Sequence, residues 1–66
     1  MQISYNKLWK LLIDKNMKKK DLQEASGISA ASIAKLGHNG NVTVEVLVKI
    51  CEALDCDMGD ICEVVR

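Results

Sequence analysis

Apolar positions along the chain fall into blocks at helical spacing, separated by short polar stretches rich in Gly and Asn. In the first block Tyr5, Leu8, Trp9, Leu12 and Ile13 stand at i, i+3, i+4, i+7 and i+8, with Asn6, Lys7, Lys10 and Asp14 on the opposite face. This spacing predicts a core-facing helix that Ser4 caps and that runs to about Lys15, with Trp9 as a core anchor rather than a base-stacking platform. A second strong block, Val44, Leu47, Val48, Cys51 and Leu54 widened by Ile50, predicts a helix capped by Thr43 with Glu45 in its first turn. Asp57, with Asp60 three residues on, predicts a short last helix from Met58 to about Cys62. The segment around Ile3 and the ending Glu63-Val-Val-Arg66 are β-prone and suit a strand pair that brings the chain ends together.

Between these blocks the stretch MKKKDLQEASGISAASIAKL, residues 17–36, reads as two short helices joined at a glycine. The first covers about 19–25, Ser26-Gly27-Ile28 makes the turn, and Ser29 caps a second helix to about Leu36. Gly27 supplies a left-handed backbone and Ser29 an acceptor for an orphan N–H. Leu22, Ile28, Ile33 and Leu36 fall on the seam between the two. This is the logic of a helix-turn-helix, over about 18–36, which lays its second helix in the DNA major groove. The outward positions of that helix, Ser29, Ala30, Ala31, Ser32 and Lys35, are small or singly charged. Alanine can touch a thymine methyl and serine can bond a base or phosphate, but no Arg, Asn or Gln is present for a bidentate base contact. Readout then leans on Lys35 and on DNA shape. The following loop, Gly37-His-Asn-Gly-Asn, tolerates positive φ. His38 has no nucleophile or carboxylate partner and reads as a surface contact to phosphate, while Asn39 and Asn41 either reach phosphates or bond their own backbone.

Charge sharpens this picture. The net charge is zero, yet residues 1–40 carry seven lysines against three acids, +4, and residues 41–66 carry two cations against six acids, −4. A basic half suits a polyanion and an acidic half keeps the rest of the surface off it. Lys18, Lys19 and Lys20 open the second helix, where each close cation opposes the helix dipole at a cost of about 0.3–1 kcal/mol that Asp21 only partly offsets. A phosphate is the natural counterpart, and solvated lysines in a frayed first turn are the alternative.

The chain of 66 residues makes a single domain over 1–66, and a chain this short buries only about 60% of its unfolded surface. Cys51, Cys56 and Cys62 are odd in number and lack Cys-x-x-Cys spacing, and His38 lies far from them. They read as reduced thiols in a cytoplasmic protein, two of them core residues, with no metal site. No apolar run of about 18 residues is present, so no membrane span is predicted. Self-association is then the remaining source of added stability. No acid–base pair, nucleophile constellation or phosphate-cradling loop supports an enzyme.

Leu22, Gly27-Ile28-Ser29, Ile33 and Leu36, followed by Thr43-x-x-x-Leu47-x-Lys49-Ile50-x-x-Ala53-Leu54 and Asp57-x-x-x-Ile61, resemble the Cro/C1-type, lambda-repressor-like regulators. The resemblance covers essentially the whole chain. It implies an all-α domain of five helices that binds operator DNA as a homodimer, without a cofactor, and regulates transcription. It also implies DNA contact at Lys19, Ser29, Ala30, Ala31, Lys35 and His38. The chain departs from the family pattern in having Lys18 and Lys19 where Thr and Gln are frequent, Gln23 at a position usually small, and Gly37 where an acid is usual. Taken with the lysines and the loop, the expected DNA-binding set is Lys18, Lys19, Lys20, Ser29, Ala30, Ala31, Ser32, Lys35, His38 and Asn39. Met58, Ile61, Val64 and Val65 are the expected dimer surface, away from the basic half. An alternative use of the same fold is a protein–protein interaction module, which the plain recognition face and acidic C-terminal third would suit.

Overall fold

The computed structural model describes residues 2–66, so the expected strand 1–4 is defined from Gln2 onward and Met1 lies outside the described residues. Strand β1 (Gln2–Ser4) leads into helices α1 (Asn6–Asp14), α2 (Lys19–Ser26), α3 (Ala30–Gly37) and α4 (Val44–Leu54), then a 3-10 turn (Met58–Asp60) and strand β2 (Glu63–Val65). The two strands pair antiparallel, with Ile3 opposite Val64, and so join the chain ends as their β-prone residues predict. The core is Tyr5, Leu8, Leu12, Leu22, Ile28, Leu36, Leu47, Ile50, Leu54 and Ile61, drawn from every helix and from the segment before β2. Burying a Leu or Ile side chain is worth about 1.5–3 kcal/mol. The set is sufficient to hold four short helices that would be marginal alone.

Among the described residues there are four α-helices rather than the expected five. In place of a last helix from Met58 to Cys62 there is one 3-10 turn, closed by Asp60 N–H to Asp57 O at 2.9 Å and Ile61 N–H to Met58 O at 3.1 Å. Gly59 weakens a helix interior, and β2 needs extended backbone from Glu63, so the helix has no room to propagate. The Asp57/Asp60 capping box does form, with Asp57 N–H donating to Asp60 Oδ2 at 3.0 Å.

Three apolar residues assigned to helix stripes face solvent: Ile13 is 72% exposed, Val44 66% and Val48 41%. In α1 the face that meets the core is centred on Leu8 and Leu12, one turn apart, and Ile13 lies about 100° round from Leu12. Val44 and Val48 lie one turn apart on a flank of α4 that no other element covers, beside the Leu47, Ile50 and Leu54 stripe. Trp9 is half-buried, packed against the core but not within it. All three cysteines are free thiols, half-buried against the core rather than two inside it. Burial, with the adjacent Cys56 thiol adding to it, pushes Cys51 up to about 11. It is protonated at neutral pH, and the stability it lends is full below the ordinary thiol value of 9.0 and is lost as pH rises from there to about 11.

The start of α1 is tied to the loop after α3. Tyr5, not the predicted Ser4, is the N-cap residue of α1 and makes no side-chain cap bond, while Ser4 Oγ accepts the Asn6 N–H at 3.3 Å from one position earlier. Tyr5 N–H donates to Asn39 Oδ1 at 3.2 Å, and Tyr5 Oη–H donates to Gly40 O at 3.0 Å across 35 residues of sequence. Tyr5 is 1% exposed, so both bonds satisfy groups that water cannot reach. Tyr5→Phe, which keeps the ring and leaves Gly40 O without its donor, is expected to lower the unfolding free energy by about 1–2 kcal/mol. Urea denaturation would show this as a lower midpoint at unchanged slope.

Candidate nucleic-acid interface

The predicted hinge forms as a helix-turn-helix. α2 ends on Gly27 at φ 73°, where a side chain would strain the backbone, and Gly27 N–H closes the helix onto Gln23 O at 2.9 Å. Ile28 then turns into the core, and Ser29, in extended backbone, accepts the Ser32 N–H on Oγ at 3.2 Å to open α3. The Ser29 and Ser32 hydroxyls also bond each other at 3.1 Å. Of the seam residues, Leu22 and Leu36 are fully buried, Ile28 is buried, and Ile33 is half-buried.

With that seam inside, Ser29, Ala30, Ala31, Ala34 and Lys35 stand exposed on the outer side of α3, and Ser32 is half-buried among them. The face is as plain as the sequence predicts: two hydroxyls, three methyls and one ammonium. A groove runs along it, lined by Ser32 and Lys35 from α3 and by Asn41, Val42, Thr43 and Val46 from the start of α4. Asn41, which the sequence offers as a phosphate contact, lies on this groove, and Thr43, expected only as a helix cap, joins it through the placement of α4.

Lys18, Lys19 and Lys20 are exposed at the entrance to α2. Lys18 is the flanking residue, and its backbone N–H donates to Asp21 Oδ2 at 2.9 Å. This is half of a capping box, because a lysine side chain has no acceptor to complete it. Among the described residues the ion pair within 4 Å is Lys49 to Glu45, at 3.7 Å on α4, so the lysines of this face are not neutralised by carboxylates. Lys19 Nζ lies 4.8 Å from the centroid of the Trp9 ring, and a Cβ added at Gly37 would be 3.5 Å from that same atom. Its ammonium thus sits near the Trp9 ring of α1 and the last turn of α3.

The loop residues divide. His38 is exposed at the C-terminal end of α3, following Gly37 in the chain. Asn39, exposed and expected among the DNA contacts, adopts φ 54°, and its side-chain oxygen accepts the Tyr5 N–H, so it also holds the loop to the start of α1. Of the expected dimer residues, Val64 and Val65 are 65% and 45% exposed and Met58 is half-buried, whereas Ile61 is fully buried at the centre of the core and cannot meet a partner. The 3-10 turn is what swings Ile61 inward.

Comparison with known proteins agrees with this geometry. The family model for the Cro/C1-type HTH DNA-binding domain matches residues 7–66. A crystal structure of the transcriptional regulator VanUg, Form II, superposes with a TM-score of 0.94 at 58% sequence identity, covering 98% of this chain and 87% of that one. No curated protein matches the chain. Removing the α3 cap by Ser29→Ala is expected to cost about 1 kcal/mol, with Ser29→Asp restoring it, in thermal unfolding followed by circular dichroism.

Proposed function

This chain belongs to the Cro/C1-type helix-turn-helix DNA-binding family, and on that premise we propose that it is a sequence-specific, cytoplasmic transcriptional regulator that inserts α3 into the major groove of operator DNA as a homodimer. The observation that carries the reading is the conjunction, on one side of the molecule, of an exposed, sterically open α3 with unneutralised lysines at the start of α2 and the end of α3. Ser29, Ala30, Ala31, Ser32 and Lys35 face the groove; Lys18, Lys19, Lys20 and His38 meet phosphates on its rim. Such an arrangement calls for no cofactor and no chemical step.

Size supports two copies. An eight-residue α3 is about 12 Å long and offers few polar atoms, too little for tight recognition by one domain. A domain with extents of 30 × 23 × 17 Å is of the size at which two copies side by side hold their recognition helices about 34 Å apart, one turn of DNA. The apolar surface suited to that contact is Val64 and Val65 on β2 and Val44 and Val48 on α4. Val64 lines a groove with Ile3, Val42 and Leu47, and Val48 lines another with Met58. Val42 borders both the first of these and the groove along α3, so the apolar surface adjoins the DNA face.

Binding to duplexes selected from a random library tests the DNA face. Replacing any one of the phosphate-facing lysines by Ala is expected to weaken all sequences alike and lower the salt slope by about 1, while Ala30→Glu or Ala31→Glu abolishes binding with helicity intact. Absence of salt-dependent binding to any duplex would move the function to protein–protein interaction through the same fold, whereas affinity unaffected by the glutamates would mean that another surface meets the DNA. For the dimer, sedimentation at micromolar concentration is expected to show a wild type that pairs, at least on DNA, and a Val64→Asp variant that does not. A wild type monomeric even when bound would rule the dimer out.

A further inference from the structure

We infer that Trp9, which the DNA-contact face itself does not include, is a positioning residue that holds the Lys19 ammonium in place for a backbone phosphate. The inference rests on the DNA-binding reading above. Lysine is ordinarily a poor fixed point: its four-carbon stem samples many rotamers, and a phosphate contact made by a free lysine must first order it. Here three elements already do so. The Trp9 ring from α1 lies 4.8 Å from Nζ, within the range at which an aromatic face attracts a cation. The stem starts from the first residue of α2. On the third side lies the last turn of α3, whose end is partly negative: the ammonium is close enough to Gly37 that a Cβ there would meet it in ordinary contact at 3.5 Å.

What these partners leave undone is as informative as what they do. A ring face and a helix end hold a cation without cancelling its charge, and no carboxylate lies within ion-pair distance of Lys19. Lys19 remains exposed, between Lys18 and Lys20 in the chain. An ammonium that is held yet not neutralised, at the rim of the helix meant for the groove, is organised for an external anion before that anion arrives. A half-buried tryptophan is a costly way to fill the edge of a small core that Leu8 and Leu12 already anchor from the same helix, and the ring's second task accounts for it.

The test is a double-mutant cycle on the full chain, with a mixed-sequence duplex two helical turns long as the probe. Trp9→Leu, which removes the ring face, is expected to weaken binding about two- to fivefold, the range set by an exposed to half-exposed cation–π contact. In a Lys19→Ala background the same change is expected to have no effect, and Trp9→Phe to fall between. Equal losses in both backgrounds would make Trp9 merely structural and overturn the inference. Because Trp9 is the single tryptophan, its emission supplies a second reading that does not require the Leu variant to fold. Duplex titration is expected to shift the emission in the wild type and not in Lys19→Met; identical shifts in the two would overturn the inference as well. A wild type that binds with a normal salt slope but shows no coupling defeats only the role of Trp9. One that ignores the duplex defeats the DNA reading and this inference with it.

Discussion

Leu22 in the middle of α2 and Leu36 near the end of α3 both reach zero exposure, although only Gly27, Ile28 and Ser29 separate the two helices. Each of those three residues has to do something different. Gly27 reverses the chain through a left-handed conformation, Ile28 drives inward, and Ser29 returns to extended backbone to cap α3. Once they have, the rotation of α3 about its own axis is fixed. Leu36 and half of Ile33 must point in, so Ala30, Ala31 and Lys35 must point out. The surface proposed to meet DNA is thus a consequence of core packing, and a glycine in the turn and a serine after it are what let the packing close.

The same constraint explains how much of the molecule could be read from its sequence. The helix-turn-helix, its cap, the long α4 and the outward face of α3 were legible because each is a local matter of a few residues: a left-handed turn, a capping hydroxyl, a repeat of 3.6. Strand pairing between the chain ends was legible from β-prone composition. What was not legible depends on neighbours distant in sequence. Periodicity marks Ile13, Val44 and Val48 as apolar on a helix, but only the placement of the other elements decides that nothing covers them. Asp57 and Asp60 do form a capping box, yet the demand of β2 for extended backbone cuts the helix to a single turn and sends Ile61 inward.

Asn39 and Lys19 show the same limit within the site. In a loop of Gly, His and Asn, an asparagine at positive φ is expected, but its acceptor role toward Tyr5, 34 residues earlier, follows only from where α1 begins. That one side chain, with the Tyr5 hydroxyl on Gly40, fastens the loop behind α3 to the first helix. In Lys19 the sequence exposes the charge and hides the partner: a lysine at the start of a helix reads as solvated until the Trp9 ring is found beside it.

On the proposed DNA-binding reading, electrostatics and readout divide the work in a way the small outer face makes necessary. Methyl groups and two mutually bonded hydroxyls can reject a misfit in the groove but supply little energy for a match, so each half-site discriminates weakly. The lysines add affinity that is blind to sequence. In a dimer, two half-sites held at a fixed spacing contribute free energies that add, and their discrimination ratios therefore multiply, while the phosphate term adds to specific and non-specific binding alike. Raising specificity by strengthening the basic rim would gain nothing. Coupling two plain helices through a rigid contact would square what either could do alone, so on this reading the exposed valines of α4 and β2 bear as directly on operator choice as the residues that touch it.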